Sequence, residues 1–172
     1  MSWFDTYWAG LKAVIHATFP EVPAGALALD TSAERRDWIN LLNAGQLTSP
    51  WVIVKIDISD SDFGPVDALT YQAVATINYI ALTNTPATVA GAPTPPLTIT
   101  EYLAGKQIAL ANAFLSATGL GTGLGTGLGT VLTSAPISIN SDNPITVVLL
   151  DAKLPFQAAS VMVTSIIIDP GA

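Results

Sequence analysis

Residues 49–82, SPWVIVKIDISDSDFGPVDALTYQAVATINYIAL, decide the fold of this chain. Apolar and polar side chains alternate in residues 51–58 and again in residues 69–80. A period of two is typical of strands that cover a hydrophobic core with one face only. The apolar rows are Val52, Val54, Ile56 and Ile58 in the first segment, and Leu69, Tyr71, Ala73, Ala75, Ile77 and Tyr79 in the second. The stretch therefore predicts two strands joined by an acidic loop.

Capping boxes predict three helices around these strands. A hydroxyl residue followed three positions later by an acid occurs at Ser2, Thr31 and Thr98, and this spacing marks helix N-termini. The first helix is predicted to bury the row Phe4, Trp8, Leu11, Ile15 and Phe19. The second is expected at residues 32–44. The third is predicted to cover the apolar sheet face with Leu103, Gln107, Leu110 and Phe114, widened by Ile108, Ala111 and Leu115.

The remaining segments are predicted to be connections and strands. Residues 21–30 are expected to form a connection, and residues 131–139, 145–150 and 157–168 to form strands. Flexible loops are predicted at residues 83–97, with four prolines, and at residues 118–130, a threefold Thr-Gly-Leu-Gly repeat without the lysine of a phosphate-binding loop. These elements predict one α+β domain over residues 1–172. Its N-terminal helical region would span residues 1–48, and its sheet and covering helix residues 49–172.

The chain is unusually poor in charge. Charged residues make up 11% of its 172 residues and hydrophobic residues 50%, whereas globular domains are roughly 25% charged. No window holds about 18 uninterrupted apolar residues, so no membrane span is expected, and the first residues lack the pattern of a secretion signal. We expect much of the surface to be buried against other protein in an oligomer or assembly. The alternative is a small Ala/Thr-rich domain that has few charges.

Charge and residue usage limit the possible chemistry. A net charge of −7 argues against nucleic-acid binding through phosphate contacts, although a surface that DNA passes without binding is compatible with it. The absence of Cys excludes thiolate nucleophiles and Cys-type metal sites. His16 is the single histidine, and no G-x-S-x-G motif accompanies it, so a Ser–His–acid triad has no support. We expect a protein that is not an enzyme and that holds no cofactor or metal.

Four aspartates lie in or beside the loop between the two predicted strands: Asp57, Asp60, Asp62 and Asp67. The segment that begins at Asp60 resembles the start of a calcium loop. However, Phe63 stands where a third ligand is needed and Tyr71 where a bidentate Glu is needed. Calcium binding is therefore not expected, and the plain interpretation is a solvated turn.

The order of predicted elements resembles that of the tail terminator proteins of long-tailed bacteriophages. More loosely, it is similar to related tail-completion and head–tail joining proteins. The matching segments are PWVIV at 50–54, SDSDFGPVD at 59–67, LTYQAVATINYI at 69–80 and SVMVTSIII at 160–168. The helix at 32–44 and the Thr-Gly-Leu-Gly repeat depart from the family pattern.

The resemblance implies a mixed, mainly antiparallel sheet packed against helices, in a structural virion protein assembled in the host cytoplasm. Such proteins form a six-membered ring that caps the tail tube, ends tail polymerisation and joins the tail to the head. The implied partners are other copies of the chain, the tail tube protein and a connector or neck protein, and DNA passes through the lumen without specific binding. By analogy, Asp57, Asp60, Asp62 and Asp67 would lie toward the lumen or the ring face. The alternatives are another connector, tube or baseplate component, or a non-viral oligomeric binding module.

Overall fold

The computed structural model describes residues 3–30, 40, 44, 50–60, 69–116, 130–139 and 156–169. The helices are α1 (Trp3–Thr18), α2 (Thr85–Thr88) and α3 (Ile99–Ser116). The strands are β1 (Leu27–Leu29), β2 (Trp51–Asp60), β3 (Leu69–Leu82), β4 (Thr130–Ile139) and β5 (Phe156–Asp169). A single 3-10 turn, Ala24–Ala26, leads into β1.

The strands form one five-stranded sheet in the order β1-β2-β3-β5-β4. β1 runs parallel to β2, whereas the other neighbouring pairs are antiparallel. The central strand β3 pairs with β5 over its whole length, from Leu69 opposite Asp169 to Leu82 opposite Phe156. The predicted class, an α+β fold with a mixed and mainly antiparallel sheet packed against helices, is confirmed.

One face of the sheet forms the hydrophobic core. Val54 of β2 lies opposite Ile77 of β3, which lies opposite Val161 of β5, and directly paired residues point to the same side of a sheet. The core residues of this face are at most 5% exposed: Val52, Val54, Ala73, Ala75, Ile77, Tyr79, Ala159, Val161, Val163 and Ile167. Over residues 73–79 the buried row of β3 is the odd-numbered row that the alternation predicts.

Helices α1 and α3 cover this core face. Their large side chains belong to the same buried cluster as the strands: Tyr7, Leu11, Ile15, Leu103, Leu110 and Phe114. Each such side chain contributes on the order of 1.5–3 kcal/mol by leaving water. The predicted capping box of α3 is present, because the Glu101 N–H donates to Thr98 Oγ1 at 3.2 Å and the Thr98 N–H donates to Glu101 Oε2 at 2.9 Å.

Three details correct the predictions. The expected connection at residues 21–30 contains β1, which at three residues is too short to give a periodic signal. In the row predicted for α1, Leu11, Ile15 and Phe19 are buried as predicted, but Tyr7 is fully buried where Trp8 was expected, and Trp8 packs only partly buried against the core. Ile108 is exposed, because at about 100° per residue it lies roughly 140° around α3 from the buried Leu103.

Other predictions fall mostly outside the described residues. These are the second helix at 32–44, of which Asn40 and Ala44 are described, the strand at 145–150, Asp62, Asp67 and the loop at 118–130 up to Thr130, where β4 begins. The proline-rich segment 83–97 is described, and it contains the one-turn helix α2.

Candidate functional site

The two described aspartates of the acidic stretch lie exposed near the end of β2. Lys55 Nζ donates to Asp57 Oδ2 at 2.8 Å, and these side chains are 55% and 57% exposed. An exposed pair of this kind adds little stability. Asp60 is three positions further along the strand, so alternation places it on the other side of the sheet from Asp57. The described acids therefore do not form one cluster.

A polar cluster joins three elements at the end of the core. The Tyr79 hydroxyl donates to Glu21 Oε1 at 3.0 Å and lies 2.9 Å from the Tyr102 hydroxyl. Lys106 Nζ forms an ion pair with the same Glu21 oxygen. We call these four residues the Tyr79 cluster. It ties the segment after α1 to the central strand and to α3.

Aromatic rings surround the ammonium group of Lys106. Lys106 Nζ lies 5.5 Å from the ring centroid of Phe19, 5.7 Å from that of Tyr79 and 5.1 Å from that of Tyr102. Ring faces attract cations at such distances, and Glu21 balances the charge. The side chain of Lys106 is thus engaged inside the subunit.

The Tyr79 hydroxyl stays protonated within this cluster. Burial raises its pKa above the ordinary value, and the Tyr102 hydroxyl and the Glu21 carboxylate raise it further. A protonated phenol donates a hydrogen bond to a carboxylate. These hydrogen bonds, together with the ion pair between Lys106 and Glu21, hold α3 against the sheet.

A groove of about 310 Å³ lies beside the Tyr79 cluster, between α3 and the proline-rich segment. Its walls are mostly apolar and include Pro86, Val89, Pro93, Leu97, Tyr102 and Ala109. Gly91 has a φ of +76°, a conformation that glycine adopts readily and that lets the segment turn back along the helix. A Cβ added to Gly105, which also lines the groove, would meet no atom within 4 Å, so the groove is open above this part of the helix.

The outward side of α3 carries almost no charge. Among residues 102–114, whose burial the structure describes, the exposed ones are Ala104, Gly105, Ile108, Ala109 and Asn112. Ile108 is 56% exposed, and Leu97 at the groove is 44% exposed. Exposed helix faces are ordinarily polar or charged. We call this face of α3, together with the adjoining groove, the helix surface.

The sheet face opposite the core is only partly buried, and we call this part of it the open face. Lys55, Thr76 and Met162 lie side by side across β2, β3 and β5, and Met162 is 38% exposed. Other partly or fully exposed residues of this face are Ile53, Asp57, Val74, Thr164 and Ile166. Toward one end the face is buried at Trp51, Ile80 and Ala158.

The described part of the chain holds no group of three or more His, Cys, Asp or Glu residues placed to bind a metal ion. His16 is half-buried on α1. Within the same residues, no helix has the length and apolar character needed to cross a membrane.

No protein-family model matches this chain, and no curated protein matches it.

Sequence reasoning missed the Tyr79 cluster and the helix surface. Tyr79 was predicted to be buried, but its partners Glu21 and Lys106 are 58 and 27 positions away in the chain, and no local pattern links them. A signal for the helix surface was present, since Lys106 is the only charged residue in the segment AGKQIALAN at 104–112.

Proposed function

We propose that this chain is a structural subunit of a ring that caps a bacteriophage tail tube, ends tail polymerisation and joins the tail to the head. The observation that carries this proposal is the presence of two weakly charged surfaces, the helix surface and the open face. They lie on opposite sides of the layered fold, because α3 packs on the core face with its exposed residues turned away from the sheet. A heterologous ring requires two different complementary surfaces on each subunit.

The order of elements supports the tail terminator family in particular. A helix, the paired strands β2 and β3, a covering helix and a long final strand follow one another as in the resemblance described above. The net charge of −7 suits a channel that DNA passes without being held. We propose a ring of about six copies in the virion, where it contacts the tail tube protein on one side and a connector or neck protein on the other.

Two measurements on the purified protein test the proposal. Native mass spectrometry, with electron microscopy of the same sample, is expected to give a closed ring of about six subunits. Added to polymerising tail tube subunits, the ring is expected to shorten the tubes and to appear at one end of each. Tubes that grow through the protein or incorporate it along their length would identify a tube component, and a stable monomer would contradict the ring.

A further inference from the structure

We infer that in the assembly the helix surface of one copy packs on the open face of the next copy. This inference rests on the proposed self-association, and it specifies which two surfaces meet and how the copies are oriented. The contact is head-to-tail, since the two surfaces lie on opposite sides of each subunit. A contact of this kind closes into a ring or continues as a filament, depending on its rotation.

The helix surface has the shape and chemistry of a docking surface. Ile108 and Leu97 are large apolar side chains that are about half exposed. Leu97 lines the groove together with Gly105 and Ala109, and Ile108 lies about one helical turn after Gly105 on the exposed side of α3. Small residues on a helix let a partner approach the backbone closely. Exposed apolar surface beside a groove is typical of protein–protein contact sites.

The open face offers a counterpart with an exposed apolar side chain. Met162 stands near its middle, between Thr76 on β3 and Ser138 on β4. Methionine is unbranched and flexible, so it adapts to irregular apolar grooves. The open face therefore supplies a side chain that suits the groove of the helix surface.

Charge favours a second copy as the occupant. Each subunit carries a net charge of −7, so two copies repel wherever their acidic surfaces approach. On the helix surface, Glu101 lines the groove and caps α3 through Thr98. Between Glu101 and Asn112 the only charged residue is Lys106, which is paired with Glu21. On the open face Lys55 and Asp57 balance one another. Contact between these two surfaces therefore brings few like charges together.

Engineered cysteines test this contact cleanly, because the chain has no cysteine of its own. The single variants Ile108→Cys and Met162→Cys are mixed and treated with a short bismaleimide crosslinker. We expect covalent dimers from the mixture and few from either variant alone. The double variant is expected to give a ladder of products that ends at the ring number. Ala24→Cys, at an exposed position that belongs to neither surface, is the control and should not crosslink with either variant.

The outcomes separate this contact from the others that are possible. Dimers from Ile108→Cys alone would mean that two helix surfaces meet, and dimers from Met162→Cys alone would mean that two open faces meet. Either result would overturn the inference. If the ring assembles normally but no crosslink forms between positions 108 and 162, the inferred contact is wrong and the proposed function still stands. If no ring forms at all, both the inferred contact and the proposed function are wrong.

A charge placed on the helix surface gives a second readout. Ile108→Glu is expected to weaken association by about tenfold or more, because it buries an unpaired carboxylate in an apolar contact. The matched control Ala24→Glu adds the same charge at an exposed site outside both surfaces and should associate like the unmodified protein. Equal association of the two variants, measured by sedimentation velocity, would contradict the assigned contact.

Discussion

Removal of the Tyr79 hydroxyl tests how strongly the Tyr79 cluster holds α3 against the sheet. Tyr79 is 1% exposed, and its hydroxyl bonds the Glu21 carboxylate at 3.0 Å and the Tyr102 hydroxyl at 2.9 Å. A hydrogen bond to a charged group contributes about 1.5–3 kcal/mol and a neutral one about 0.5–1.5 kcal/mol. Because Glu21 is partly exposed and keeps Lys106 as a partner, we expect Tyr79→Phe to lower the free energy of unfolding by about 2 kcal/mol.

Tyr7→Phe is the matched control for this substitution. Tyr7 is fully buried, and within the part of the chain that the structure describes its hydroxyl makes one neutral hydrogen bond, to Ser165 Oγ at 3.3 Å. Its loss should lower the free energy of unfolding by about 0.5–1 kcal/mol. Both variants are unfolded with urea at equal subunit concentration, since self-association adds to apparent stability. If Tyr79→Phe lowers the free energy of unfolding by no more than Tyr7→Phe does, the hydrogen bonds of the Tyr79 cluster do not stabilise the fold as expected.

The same two tyrosines predict how stability changes at alkaline pH. Burial raises the pKa of both Tyr7 and Tyr79 above the ordinary value of 10.0. Below pH 10.0 both hydroxyls are protonated in the folded and in the unfolded chain, so their ionisation does not lower the free energy of unfolding. As pH rises above 10.0, the unfolded chain ionises first, and the free energy of unfolding therefore falls. Replacement of either tyrosine by Phe should therefore make the alkaline decline in unfolding free energy shallower, and an unchanged slope would argue against burial of the hydroxyl.

Four further substitutions give three distinct expectations. Glu101 caps α3, and its hydrogen bonds to Thr98 lower its pKa below the ordinary 4.5. Above the ordinary pKa of 4.5 the unmodified protein should therefore be more stable than Glu101→Gln. This difference in unfolding free energy should vanish as pH falls through the lowered pKa of Glu101, and a difference that does not depend on pH would contradict the capping role. Gly105→Ala should raise the free energy of unfolding by about 0.5–1 kcal/mol, because alanine favours the helix and its Cβ meets open space; a lower melting temperature would contradict the open groove. Asp60→Lys should make the ring hold DNA in a salt-sensitive way if Asp60 lines the channel, whereas Asp57→Lys, which places a second cation beside Lys55 on the open face, should weaken association instead.

The sheet could be predicted because its signal is local. Residues 69–80 alternate strictly enough to specify which side of β3 is buried, and Ala73, Ala75, Ile77 and Tyr79 all lie on that side. The capping box of α3 was equally readable, since the two residues that exchange hydrogen bonds are three positions apart. Periodicity and capping are properties of neighbouring residues, so a single sequence contains them.

Helix orientation and the candidate surfaces depend on contacts that are distant in the chain. α1 carries apolar residues on two adjoining faces, and the buried face is the one whose Tyr7 reaches Ser165, 158 positions away. Likewise, Ile108 looks like a core residue in the sequence, but Leu103, Leu110 and Phe114 already fill the side of α3 that faces the sheet. The exposure of Ile108 therefore becomes evident only once the fold is known. The inferred contact between copies depends on this residue.

Native mass spectrometry of the protein and of Ile108→Glu, prepared side by side at the same concentration, tests the central claim most directly. We predict one dominant closed species of about six subunits for the protein, and a shift toward monomer and short open chains for the variant, because the helix surface can no longer dock on its neighbour. A monomer in both samples, or rings of the same size and abundance in both, would contradict an assembly built through these two surfaces.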